Sequence, residues 1–350
     1  MRAPELMRQQ NRASILATIQ EHGPISRVEL AQMLDLNPAT VTRITRTLLE
    51  EGLIHEIGEG TSQNAGRKPV LLEFNHRSRL LIGVVILPGG VTGVVADLAG
   101  TILTRRTILP PAHLTFESIL PLFEDLLEAD PNYQPRLTAA CIGMWAQDDA
   151  LAEALSSTLC IPVFTAEIAR LAALGEAAWG AAQGQQEFAL FYLGSHSSAC
   201  LYFDGQTRAG GLGLSPEGES LSSRLCDASL ISLTQQALAE GEASALRNHT
   251  RLSANMVFEA ARQHDVLAQQ VVNQIADDLA WSVAWWVDAL GLEYIILGGS
   301  WHHAADVLIP AVYRQVRSFK LPALIPTGVG DDAPILGTIR LMLDQINLTV

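Results

Sequence analysis

Between residues 11 and 49, short apolar stretches alternate with helix-capping residues, and this spacing predicts three helices in close succession. Ile15, Leu16 and Ile19 recur at helical spacing over residues 11–21, and His22-Gly23-Pro24 stops that helix. Ser26 is a good N-cap, with Glu29 three residues later as in a capping box. The helix it starts, over 27–36, is expected to bury Val28, Leu30, Ala31 and Leu34. A short turn follows at Asp35-Leu36. Asn37 then caps a third helix whose first position is Pro38, where a missing N–H costs nothing. At roughly 100° per residue, Val41, Ile44 and Leu48 share one face of this helix, with Leu49 beside them. Ala39, Thr42, Arg43 and Arg46 fall on the opposite face.

Two short helices, a tight turn and a third helix opening Asn-Pro-Ala-Thr give a helix-turn-helix pattern. The small residues Ala39 and Thr40 let the third helix approach a groove floor. Thr42, Arg43 and Arg46 have the chemistry to reach base edges and phosphates. Ser26 and Arg27, at the start of the preceding helix, complete the DNA-contact candidates of this unit. After Gly52, residues 53–57 and 70–74 read as two short strands around a turn-rich segment. That is a β-hairpin wing, and its far end carries Arg67-Lys68 between Gly66 and Pro69. A compact segment of this kind can lie along a minor groove, with Arg where the negative potential is highest.

Charge agrees with this placement. Residues 1–78 hold nine Arg/Lys and nine Asp/Glu, whereas the remainder holds 14 basic and 28 acidic residues and carries the whole net charge of −14. Only the N-terminal part is not repelled by DNA. Cys141, Cys160, Cys200 and Cys226 form no CxxC pair and are expected to be small buried residues in a reducing cytoplasm. The polar N-terminus has no apolar core of a secretory signal, and no run reaches about 18 apolar residues, so no membrane association is expected.

From Leu81 the chain reads as strands and helices in the order of a two-lobed α/β fold. A strand meander covers 81–103, and a helix covers 115–129. Strands at 137–146 and 161–166 flank a short helix at 147–159, and a helix follows at 167–182. Strands near 188–194 and 198–205, a Gly-rich stretch, a long apolar helix over 266–290 and a strand at 294–300 complete the reading. The expected division is a winged helix-turn-helix over 1–78 and an α/β domain over 79–350 for effector binding and dimerisation.

The helix-turn-helix, the Gly-Arg-Lys-Pro wing, the paired meanders and the late Ile-Leu-Gly-Gly strand together resemble the ROK family (repressors, open reading frames, kinases), in particular its sugar-metabolism regulators. The resemblance implies an N-terminal winged helix-turn-helix followed by a two-lobed actin/hexokinase-like (ROK) α/β domain. It also implies dimers or tetramers that bind operators and respond to a sugar or a partner protein. The kinase members carry an Asp in the first strand turn, where this chain has Ile86. Their catalytic base lies in an Asn-Asp pair, where this chain has Glu167-Ile168, and isoleucine cannot accept a proton. Of the glycines of the second phosphate loop only Gly194 remains. Glu219 stands near the position of the family's zinc-segment His, and Cys226 stands alone, so no structural zinc is expected. Glu167 and Glu219 remain the effector-contact candidates.

His196, His302 and His303 are not expected to hold a metal, because adjacent residues rarely ligate one ion well. Trp281 and Trp285 share a helix face, for core or dimer packing. The resulting expectation is a cytoplasmic, sequence-specific transcriptional regulator, a repressor of carbohydrate-related genes, with no catalytic residues, cofactor or metal. It would work on double-stranded operator DNA as a homodimer or tetramer. Two alternatives are an active sugar kinase with a DNA-binding head, and a regulator sensing a non-sugar effector or partner protein.

Overall fold

The computed structural model describes residues 3–59, 69–111, 113–146, 148–316 and 321–346. The N-terminal unit contains α1 (Ala3–His22), β1 (Ile25–Ser26), α2 (Arg27–Met33), α3 (Pro38–Glu50), β2 (Ile54–Glu59) and β3 (Val70–Phe74). The three strands form one antiparallel sheet in the order β1-β3-β2. The capping residues act as their types predict. The Ser26 hydroxyl accepts from Glu29 N while the Glu29 carboxylate accepts from Ser26 N. These hydrogen bonds, the backbone one first, hold the Glu29 pKa below its ordinary value. The Asn37 side chain accepts from Ala39 N at 2.9 Å.

The core of this unit joins Ile15, Leu16, Ile19, Leu30, Val41, Ile44 and Leu48 to Leu72 and Phe74 of the wing. Val28 departs from the expectation and is 62% exposed. It stands two residues before Leu30, which is about 200° around the helix, so the face that buries Leu30 and Ala31 turns Val28 to solvent. Arg12 of α1 makes a bidentate pair with Glu51, just past the end of α3.

The following residues form two lobes of the same topology. The first contains β4 (Leu80–Leu87), β5 (Gly90–Asp97), β6 (Ile102–Ile108), α4 (Phe116–Glu128), β7 (Leu137–Met144), α5 (Asp149–Leu159), β8 (Val163–Glu167) and α6 (Ile168–Trp179). The second contains β9 (Glu187–Tyr192), β10 (Ser198–Phe203), β11 (Gln206–Gly210), α7 (Leu221–Arg224), α8 (Asp227–Ala239), α9 (Ala254–Arg262), α10 (Val266–Leu290), β12 (Tyr294–Gly298), α11 (Ala305–Gln315), β13 (Ala323–Pro326) and α12 (Ala333–Gln345). The sheet orders are β6-β5-β4-β7-β8 and β11-β10-β9-β12-β13. In each, the first strand pairs antiparallel with its hairpin partner and parallel with the strand on its other side. Parallel strands are covered on both faces, which is why β4, β7 and β9 read as nearly continuous apolar runs.

Helices α6 and α12 lie between the two sheets and cross through glycines. A Cβ on Gly337 would fall 1.8 Å from Leu171 O, and one on Gly175 would fall 2.2 Å from Ala333 O. The wholly buried Glu176 of α6 accepts hydrogen bonds from Ala181 N, Gly328 N, Val329 N and the Thr327 hydroxyl. One carboxyl group thereby holds the loop that leads from β13 into α12.

The cysteines do not share one environment. Burial pushes the thiols of Cys141 and Cys200 up to about 12, whereas Cys160 is exposed and Cys226 half-buried. Trp286 packs in the core, while Trp281 and Trp285 are 49% and 54% exposed. Core packing therefore belongs to the third tryptophan of the helix.

The glycine crossing sets a direct expectation for stability. Gly337→Ala must push backbone from backbone and is expected to destabilise by about 3 kcal/mol or more in denaturant unfolding. Gly89→Ala, where an added Cβ meets nothing within 4 Å, is expected to stay within about 0.5 kcal/mol of the parent chain.

Candidate nucleic-acid interface and interlobe cleft

Helix α3 presents the face that its sequence predicts. Val41, Ile44, Thr45 and Leu48 are buried against the helical unit. Ala39, Thr42, Arg43 and Arg46 are exposed and fall within an arc of roughly 100° on the opposite side. Thr40 lies at the edge of that arc and is half-buried. The Thr42 hydroxyl donates to Pro38 O at 2.8 Å, which leaves its oxygen free to accept. Arg43 has no ion pair among the described residues. Arg46 lies 3.8 Å from Glu50, with both side chains about 70% exposed (73% and 69%). A contact of that kind is weak and leaves the guanidinium available to a phosphate.

Two further candidates have their polar groups committed to the fold. Ser26 is 3% exposed and its hydroxyl serves the capping box. Arg27 donates from Nε to Thr45 Oγ1 at 3.1 Å and from Nη2 to Glu56 at 2.9 Å, joining α2, α3 and the first wing strand. Arg67 and Lys68 lie outside the described residues. Thr47, exposed one turn beyond Arg43, adjoins the α3 face and was not singled out from the sequence.

The second site is the cleft between the lobes, with a cavity of about 450 Å³. Pro88, Gly89 and Gly90 of the β4–β5 turn line one side, and Gly194, Ser195, Ser300 and Asp331 line the other. The β4–β5 turn carries no carboxylate. Trp145 stands in the cleft, stacked on His196 at 5.0 Å and edge-on to Tyr192 at 5.5 Å. Arg105 crosses to Asp332 in a bidentate pair, both bonds 2.8 Å, and this pairing raises the Arg105 pKa. Asp227 accepts from the indole of Trp301 at 2.7 Å and from Ser195 at 3.1 Å. The lining thus offers one arginine, already paired, against three aspartates, a poor environment for a polyphosphate.

Neither effector candidate lines this cleft. Glu167 is the N-cap residue of α6 and makes no side-chain cap bond. Glu219 is exposed and pairs with Arg224 at 2.8 Å. Ile168, beside Glu167, is fully buried in apolar surroundings. Trp145, Arg105 and Asp332 escaped the sequence reading because their partners are distant in the chain. The one available signal was the acidic pair Asp331-Asp332 ahead of a helix-opening Ala-Pro.

Family models match two parts of the chain, MarR family over residues 9–56 and ROK family over residues 225–345. The chain is 25% identical to a putative xylose repressor of Caldicellulosiruptor sp. (strain Rt8B.4), over 89% of this chain and 88% of that one. It is 24% identical to the DNA-binding transcriptional dual regulator NagC of Escherichia coli (strain K12), over 91% and 87%. Among solved structures, a ROK family transcriptional regulator homologous to the Escherichia coli MLC protein superposes with a TM-score of 0.79. It shares 24% identity and covers 96% of both chains. A ROK family glucokinase from Streptomyces griseus, in complex with glucose and AMPPNP, gives a TM-score of 0.62 at 20% identity, over 75% of this chain and 98% of that one. The glucokinase therefore aligns over only part of this chain, whereas the regulator spans nearly all of it. Residues 225–345 are thus similar to the ROK family and residues 9–56 to MarR-type helix-turn-helix units, on a fold shared with a ROK family transcriptional regulator.

Proposed function

We propose that this protein is a cytoplasmic, sequence-specific transcriptional regulator that reads operator DNA with α3 and represses carbohydrate-related genes. The observation that carries the reading is the exposed Ala39–Thr42–Arg43–Arg46 face, standing on a helix whose other side is locked into the core. Curated relatives named as xylose and N-acetylglucosamine repressors support it. The DNA-binding domain ends near residue 78, and the α/β body behind it is non-catalytic. The body senses a small molecule, a sugar or another compound, and assembles the chain into a homodimer or tetramer. A palindromic operator is the natural target of such an assembly.

The candidate contacts divide by role. Arg43 reads base edges, Arg46 contacts phosphate, and Ala39 and Thr40 admit the helix to the groove. Arg67 and Lys68 supply the wing contact in the minor groove. Ser26 and Arg27 act by setting the position of α2 against α3. The body lacks what phosphoryl transfer needs: no carboxylate in the β4–β5 turn and a buried isoleucine at the base position.

Two outcomes are expected. In fluorescence anisotropy at fixed salt, Arg43→Ala should reduce the preference for operator over random duplex by about 1–3 kcal/mol. Arg46→Ala should weaken both duplexes alike and lower the salt slope by about 1. If neither variant differs from the parent, the α3 docking is wrong. In a coupled assay of ATP consumption across common hexoses and amino sugars, turnover should not exceed the rate without protein. Clear sugar-dependent turnover would instead support a kinase with a DNA-binding head.

A further inference from the structure

Strand β12 ends at Gly298, and Gly299 turns the chain into a 3-10 turn over Ser300–Ala304. The turn requires glycine at 299: its φ is +75°, and a Cβ there would lie 2.1 Å from Leu193 O. His302 and His303 leave this turn side by side, with ring centroids 3.8 Å apart. A second 3-10 turn, Gly330–Asp332, opens with Gly330 at φ +62° and brings Asp331 against both rings. Each of the three side chains places a ligand atom within 4.8 Å of the other two. Adjacency in the chain had argued against an ion here, but the third group comes from 28 residues further on.

We propose that His302, His303 and Asp331 bind one divalent first-row transition-metal ion of the zinc type at the rim of the interlobe cleft. The ring of His302 is already set for this. Its Nδ1–H donates to Gly299 O at 2.7 Å, so the lone pair lies on Nε2. Nε2 lies near Gly330, a Cβ there being 3.6 Å from it, while the Asp331 carboxylate stands 3.7 Å from Nδ1, so sharing an ion with Nε2 requires a rotation of the exposed Asp331 side chain. A carbonyl holding the far N–H is the usual outer support of a metal-bound histidine. His303 Nε2 stands 3.3 Å from Asp331 Oδ2. Two ligands each about 2.0–2.1 Å from a tetrahedral ion are separated by roughly 3.3 Å, so this pair already has the spacing of a shared ion.

Without an ion this contact gives little, because His303 and Asp331 are 58% and 68% exposed. Two imidazoles and one carboxylate suit zinc and its neighbours rather than calcium or magnesium. Three protein ligands leave a coordination position open to water or to a ligand in the cleft, which Asp331 also lines.

The test uses the full chain, stripped with a chelator and titrated with Zn²⁺ alone by calorimetry and by dialysis with elemental analysis. One ion per chain is expected. Asp331→Asn and His303→Ala should each weaken binding at least ~10-fold, while Cys226→Ser should not change it. Melting temperatures in metal-free buffer should match the parent, so that lost binding reports lost ligands. Absorption of the Co²⁺-loaded parent should show ligand-field bands without a thiolate charge-transfer band. Absence of saturable uptake by the parent would overturn the site. So would full affinity in the His303→Ala/Asp331→Asn double variant, or a thiolate band.

Discussion

The body depends on the crossing of α6 and α12. Each sheet alone has a face to cover, and these two helices lie between them. Their approach is set by backbone, because Gly175 and Gly337 leave no side chain at the contact. A backbone-to-backbone crossing fixes distance and angle more tightly than interdigitating side chains would, since no rotamer change can relieve it. Glu176 then locks the ends: its carboxyl gathers three backbone N–H groups and one hydroxyl from the segment after α6 and the loop after β13. Removing that acceptor would strand several buried donors at once.

That rigid centre explains where the two sites lie. The cleft opens at the strand ends on either side of the crossing, and its rim includes the residues leading into α12. Arg105 on β6 and Asp332 at the start of α12 pair across it, and Asp331 beside them faces His302 and His303. The cleft lining thus includes the segment that leads into the central helix. The N-terminal unit is built differently, from three helices and a small sheet, and the exposed face of α3 stands on a helix whose other side is buried in the core.

The legible and illegible parts divide by the distance over which the deciding interaction acts. The α3 face, the Asn37 cap and the Ser26–Glu29 box were legible because each is settled within about one helical turn. The strand pairs β4–β5 and β9–β10 were legible because their apolar runs and turns are adjacent. Helix α12 went unread, since its small residues Ala333 and Gly337 make sense only against Leu171 and Gly175 of α6. The two-residue strand β1 is visible only through its pairing with Leu71 and Leu72. Val28 was misplaced because a short helix has too few residues to reveal which stripe turns inward. Glu167 and Glu219, carried over by position from relatives, sit apart from the cleft lining. Trp145, Arg105 and Asp331, which do line it, act through partners far along the chain.

The central claim is that this chain reads a DNA sequence through α3. Selection of genomic fragments by the purified full-length protein, followed by footprinting of the enriched fragments, tests it most directly. The account predicts one recurring motif with two half-sites about 10 base pairs apart, or a multiple of that, in inverted orientation. Enrichment without a shared motif, or no protected region on any enriched fragment, would contradict it.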